Sequence, residues 1–277
     1  MNSGESMSSW IRAVPNAILG VPIYLPYSTS MQEEGSLMVT HRWVLTAFLL
    51  AAAVGWACGV GAAEDDTDWA SKQVDLKKGD HIIFFGDSLT ELAGREEPKS
   101  HVTKGYVRIV REALERKHPD KDLKVDWVAT GGHTVPDLLK RVDKDVIAKK
   151  PTIVVIQIGC NDARRIPKER FQAGLEELID RLQKAEIQVI QCSLTSVGEK
   201  HDGTNRDDAA LEAFAVVARE VAKAKKVPLN DLRKAFVEYW KKNNPDNKPS
   251  GFLTYDGNHF NDAGHKFVAE QMLKKFK

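Results

Sequence analysis

The chain has 277 residues, 42% hydrophobic and 29% charged, with 40 Lys+Arg against 39 Asp+Glu and a formal net charge of +1. Bases and acids are interspersed along the chain, and this absence of a basic stripe argues against a nucleic-acid partner. Once an unusual amino terminus is set aside, the length allows one domain of about 200 residues.

Residues 1–37 carry little charge and no sustained periodicity. They are followed by a short basic lead, Met38-Val39-Thr40-His41-Arg42, and by an uncharged stretch from Trp43 to Ala63 that ends in small residues before Glu64-Asp65-Asp66. That order is the pattern of a secretory signal peptide over 38–63, cleaved after Ala62 or Ala63. Translation is then expected to start at Met38, with 1–37 a gene-model extension. The alternative is an uncleaved membrane tether, since an uncharged run of this length can just span a bilayer. Its glycine-rich far half, Gly55 to Gly61, favours cleavage. A lipid-modified Cys58 is a third option, for which Gly55 is a poor residue three positions earlier. Residues 64–78 read as a linker and 79–277 as the folded domain, exported to the periplasm or beyond.

From Gly79 onward, short β-branched or aromatic runs alternate with longer amphipathic ones. In chain order the pattern predicts a strand His81–Phe85, a helix Gly105–Lys117, a strand Lys124–Val128, a helix Val135–Lys149 and a strand Ile153–Ile158. A helix Lys168–Lys184, a strand Gln188–Cys192, a helix Asp207–Lys225, a short strand Val227–Leu229 and helices Asp231–Asn243 and Asp262–Phe276 follow. The third strand is apolar at nearly every position, the mark of a strand covered on both faces. Parallel strands need crossover helices, and the spacing supplies one between each pair. The expected fold is therefore α/β, a three-layer α/β/α sandwich around a mostly parallel sheet of about five strands, with no repeat and no second domain.

Two long polar loops, 196–206 and 243–255, fall beyond the carboxyl ends of predicted strands or in the last connection, where open parallel sheets bind ligands. Cys160 and Cys192 end two predicted strands. A disulfide is conceivable in an exported protein, but two small buried thiols are the favoured reading.

Four polar landmarks share those positions. Gly86-Asp87-Ser88 after the first strand reads as a tight turn in which a side chain satisfies a free N–H, or as a turn that presents a nucleophilic hydroxyl. Gly131-Gly132-His133-Thr134 reads as a loop capped by Thr134 ahead of Pro136, or as a source of a free backbone N–H. Asn161, after the buried third strand, is a turn residue or an amide donor. Asp256 and His259, three residues apart, are a solvated pair or the acid and base that a serine nucleophile needs. Each alone is weak, but the four in this order are much harder to dismiss.

Gly86-Asp87-Ser88-Leu89, Gly132 with Thr134, Gly159-x-Asn161-Asp162 and Asp256-x-x-His259 together resemble the four marker blocks of the SGNH, or GDSL, hydrolases, from roughly Asp80 to the carboxyl terminus. The resemblance implies the flavodoxin-like fold of that family and a serine esterase. It puts the nucleophile on Ser88, the base and its partner on His259 and Asp256, and the oxyanion hole on the N–H groups of Ser88 and Gly132 and the amide of Asn161. One departure stands out. Many members carry an asparagine shortly before the second-block glycine, whereas this chain reads Trp127-Val128-Ala129-Thr130-Gly131-Gly132, and the choice of Gly132 over Gly131 rests on its spacing to Thr134.

His133 and His265 lack a second ligand at metal spacing and read as structural or solvated; no cofactor and no metal are expected. The resemblance, with export and the absence of an apolar lid, implies an acetylated carbohydrate as the ester substrate. A lysophospholipase or thioesterase is the enzymatic alternative. A non-catalytic glycan- or partner-binding protein on the same fold is the alternative of another class. Phe252 and Tyr255 in the last loop could form an acyl slot or a sugar platform, with packing beneath the loop as their default role.

Overall fold

A computed structural model describes residues 69, 71–97, 99, 101–195 and 197–277. The expected extension over 1–37, the signal or anchor over 38–63 and Cys58 lie outside the described residues, as does Ser196 of the first polar loop. Among the described residues no helix is long and apolar enough to cross a membrane.

Five strands form one parallel sheet: β1 (His81–Gly86), β2 (Lys124–Ala129), β3 (Ile153–Gln157), β4 (Gln188–Cys192) and β5 (Leu229–Asn230). Their spatial order is β2-β1-β3-β4-β5, all neighbours parallel. Strand side chains alternate between two cores, as a period of two requires. Ile83, Phe85, Val154 and Ile156 point into one, packed by α3 (Val135–Asp145), α5 (Lys168–Lys184) and α6 (Asp208–Ala224). Ile82, Phe84, Ile153 and Val155 point into the other, packed by α1 (Ser88–Gly94), α2 (Tyr106–Lys117), α7 (Leu232–Asn243) and α8 (Asp262–Leu273). A four-residue helix, α4 (Asp162–Arg165), follows β3. The fold is thus the expected three-layer α/β sandwich, with every residue of β3 buried.

The differences from the sequence reading have local causes. Pro228 has no N–H to give a ladder, so β5 begins at Leu229, two residues later than expected, although the Pro228 carbonyl accepts the Gln191 N–H at 2.9 Å. The last helix stops at Leu273, which frees Phe276 to bridge Val74 in parallel. The Val74 N–H donates to the Lys275 carbonyl at 2.8 Å, the Lys277 N–H returns to Val74 at 2.9 Å, and Val74 and Leu76 are buried in the α2/α7/α8 core. The stretch read as a linker therefore holds two core residues and pairs with the carboxyl terminus.

The order β2-β1-β3 places the topological switch between β1 and β3, where connections leave to opposite sides and a crevice opens beyond the carboxyl ends. Ser88 follows β1 and Asn161 follows β3.

Candidate active site

The approach to Ser88 depends on space. A Cβ on Gly86 would overlap the Gln157 carbonyl oxygen and the Thr90 Oγ1, so glycine is needed for close approach between the end of β3 and the start of α1. Asp87 caps α1 by accepting the Leu89 N–H at 3.0 Å. The turn is thus the helix cap of one sequence reading, and it sets Ser88, the candidate nucleophile of the other, at the first helical position. The Ser88 N–H has no acceptor among the described residues.

Ser88 Oγ lies 3.1 Å from His259 Nε2, across 171 residues of sequence. On the other side of the ring, His259 Nδ1 is 2.7 Å from Asp256 Oδ2, while Asp256 Oδ1 accepts the backbone N–H groups of Asn258 at 2.9 Å and His259 at 2.7 Å. Burial works against the Asp256 charge, yet these three donors hold its carboxyl below the usual range. With the Nδ1 proton directed at Asp256, Nε2 is the nitrogen free to accept the Ser88 hydroxyl proton. Tyr255 stacks on the His259 ring, centroids 5.9 Å apart and planes 18° apart, and meets His101 at 4.5 Å on its own account.

The loop after β2 accounts for its N–H groups one by one. Thr130 donates to the Gly86 carbonyl, Gly131 to Glu91 Oε2 at 2.8 Å, His133 to the Thr130 carbonyl, Thr134 to Asp137 Oδ2 and Val135 to Asp162 Oδ1 at 2.8 Å. The Gly132 N–H is the exception, without an acceptor among the described residues. Gly132 has φ +76°, the left-handed region that glycine tolerates, and its carbonyl accepts Arg165 Nη1 at 2.6 Å. The loop lies against the nucleophile: a Cβ on Gly131 would sit 3.7 Å from Ser88 Cβ.

Asn161 also arrives here, but its amide nitrogen is engaged, donating to Asp87 Oδ2 at 3.2 Å and to the His133 carbonyl at 3.1 Å. Both contacts are at the long end of the hydrogen-bond range. Donation to an oxyanion requires one of the two hydrogens to be shared. Behind it, Asp87 and Asp162 are buried carboxyls that repel each other. Burial raises Asp87 to about 7 and Asp162 to about 6. Asp162 Oδ2 has no hydrogen-bond partner.

The sequence reading singled out neither Glu91 nor Glu199. Glu199, fully buried, accepts the N–H groups of Phe252 at 2.8 Å, Leu253 at 2.7 Å and Thr254 at 2.6 Å and the Thr254 hydroxyl at 2.8 Å. It thereby ties the loop after β4 to the segment leading into Asp256. Its signal in the sequence is an acid inside a polar loop, which has no distinguishing pattern. Glu91 offers a better one, standing one helical turn beyond a candidate nucleophile.

Other expectations can be located. Cys160 and Cys192 are both free and buried, and burial pushes their thiols up to about 11 and about 12. His265 accepts the Tyr106 N–H at 3.2 Å and burial pushes it down to about 4, so it is a neutral structural residue. Among the described residues, no group of three or more His, Cys, Asp or Glu could hold a metal ion.

The sequence profile of the GDSL-like Lipase/Acylhydrolase family matches residues 84–267. An acetylxylan esterase of Geobacillus stearothermophilus is 27% identical over 217 residues, covering 72% of this chain and 95% of that protein. The crystal structure of the acetyl xylan esterase AlAXEase superimposes with a TM-score of 0.65 at 34% identity, covering 70% of this chain and 98% of that one. A lipoprotein of Bacillus subtilis, YqeF, is 29% identical over 217 residues, 68% of this chain and 86% of its own length. Solved structures of two catalytic mutants of a Geobacillus stearothermophilus acetylxylan esterase, both 25% identical to this chain, replace an aspartate and, three positions on, a histidine by alanine.

Proposed function

Because the chain belongs to the GDSL-like lipase/acylhydrolase family and is a carboxylic ester hydrolase, we propose that it is an exported serine esterase that removes acetyl groups from polysaccharide. The observation that carries the reading is the relay from Ser88 Oγ through His259 to Asp256, 3.1 Å and 2.7 Å long, at the switch point of the sheet.

His259 takes the Ser88 proton as the oxygen attacks the acetyl carbonyl, and Asp256 holds the ring in place and stabilises its charged form. The oxyanion is met by the N–H groups of Ser88 and Gly132 and by the Asn161 amide. The sugar hydroxyl leaves with the proton from His259, and water, activated by the same imidazole, releases acetate. Acetylxylan esterases among the relatives support the acetyl and carbohydrate parts of this assignment. The aspartate–histidine spacing of the two catalytic mutants supports the roles of Asp256 and His259.

Export is supported by the leader pattern over 38–63 and by a lipoprotein among the relatives. Amino-terminal sequencing of secreted protein should read Ala63 or Glu64; peptides from 1–37 in expressed protein would refute the expected start at Met38.

The decisive assay compares acetate release from acetylated xylan with hydrolysis of p-nitrophenyl acetate, p-nitrophenyl octanoate and a lysophospholipid. Acetylated xylan and the acetyl ester should be preferred. Ser88→Ala should lose on the order of 10⁴-fold or more in kcat, and Asn161→Ala on the order of 10² to 10³. Turnover surviving in Ser88→Ala would refute the nucleophile, and preference for the lysophospholipid would replace the carbohydrate assignment with a lipolytic one.

A further inference from the structure

The turn after β2 carries two adjacent glycines: Gly131 lies against Ser88 and its N–H is engaged, while the Gly132 N–H has no acceptor among the described residues. Glu91 stands on α1 three residues after Ser88, so both project from the same side of one short helix. Its Oε2 accepts the Gly131 N–H at 2.8 Å, and its Oε1 is paired with the Arg95 guanidinium. The side chain is three-quarters buried, 24% exposed. Burial opposes its charge, but the Arg95 pairing and the Gly131 N–H hold the carboxyl below the usual range, so it is an anion at working pH. The other contacts of the turn act on different atoms: Arg165 takes the Gly132 carbonyl and Arg141 the Thr130 hydroxyl.

We propose that Glu91 is a positioning residue for the oxyanion loop: by taking the Gly131 N–H from the helix that carries Ser88, it fixes the turn in the conformation that leaves the Gly132 N–H as the donor. This rests on Ser88 being the nucleophile. The arrangement references donor to nucleophile through one rigid element. A charged acceptor binds an amide hydrogen more strongly than a neutral one, and a donor held in place in advance stabilises charge that develops only in the transition state. Loss of Glu91 should therefore lower kcat and leave KM nearly unchanged.

The test measures kcat and KM on p-nitrophenyl acetate, and inhibition by phenylboronic acid, which adds to a serine oxygen as a tetrahedral anion, for wild type, Glu91→Ala, Glu91→Gln and Ser88→Ala. Glu91→Ala should lose about 10- to 100-fold in kcat, at or below the cost of deleting one oxyanion donor, with KM within about threefold and boronate affinity weakened in parallel. Glu91→Gln keeps an oxygen for the Gly131 N–H without the charge, and should recover most of the loss. Wild-type kcat in Glu91→Ala beside a dead Ser88→Ala overturns the inference and leaves the nucleophile standing. An active Ser88→Ala overturns both. If Glu91→Ala does not fold, Glu91→Leu, which fills similar space without an acceptor, takes its place: a fall in kcat and boronate affinity at constant KM and constant melting temperature supports the role, and wild-type kcat or a change confined to KM or to melting temperature overturns it.

Discussion

Asp162 is a buried acid with one satisfied oxygen and one orphan, and its charge sits near that of Asp87. A carboxyl whose pKa is raised on folding binds its proton more tightly in the native state, so its contribution to stability is intact below its unfolded value and is lost as pH rises through its folded value. For Asp162 that window runs from the ordinary carboxyl value of 3.8 to about 6, and for Asp87 from 3.8 to about 7. Asp162→Asn keeps an oxygen for the Val135 N–H and removes the charge. It should raise stability by about 1 to 3 kcal/mol above pH 7, with the gain vanishing as pH falls towards 4; urea midpoints at pH 4, 6 and 8 check this, and a gain at pH 4 equal to that at pH 8 would rule it out. Ser88, His259 and Asp256, which the structure brings within hydrogen-bond reach of one another, stood out in the sequence because each lies in a short block of the family pattern, as does Asn161. The choice of Gly132 as the proposed donor rested in the sequence on its spacing to Thr134 alone, and the bond that engages the Gly131 N–H comes from Glu91, 40 residues earlier. Chemistry that depends on such a distant partner leaves no local pattern.

Strands and helices with long periodic runs were legible to within a few residues, since their burial is written in the repeat of their apolar positions. The elements missed were short. Ser88–Gly94 and Asp162–Arg165 have too few turns for a helical period to register, and their existence follows from the positions of β1 and β3. The loops are where tertiary contacts decide everything. Glu199 holds the segment before Asp256 with four donated hydrogens, and the neighbouring Gly198 N–H bonds the Gly257 carbonyl, so the loop after β4 and the loop carrying the acid and base form one unit. In Glu199→Gln one of the two oxygens becomes an amide that faces an N–H or hydroxyl donor. That should cost about 1 to 3 kcal/mol and lower kcat by loosening the Asp256–His259 loop; a denaturation curve and a rate matching wild type would show that the clamp does not matter.

The whole domain closes on itself through its ends. Val74 and Leu76 lie in the same core as Phe276, and backbone bonds join residues 74 and 76 to 275 and 277. A protein begun at Gly79, where the composition alone suggests that the fold starts, gives up both side chains and those bonds. It should be less stable than one begun at Glu64 by about 3 to 6 kcal/mol, the upper estimate for burying two aliphatic side chains; equal urea midpoints for the two would contradict this. The incoming segment also has a direction. Lys72, Gln73 and Val74 line a cavity of about 350 Å³ with Gln188, Val189 and Pro228, at the edge where the strands begin, whereas Ser88 and Asn161 follow the ends of β1 and β3. An attachment grafted at residue 71 therefore starts from the pole opposite the cleft. Coupled to a bead or a fibre by that end, the enzyme would keep its reactive mouth turned outward, free to work along an insoluble polymer.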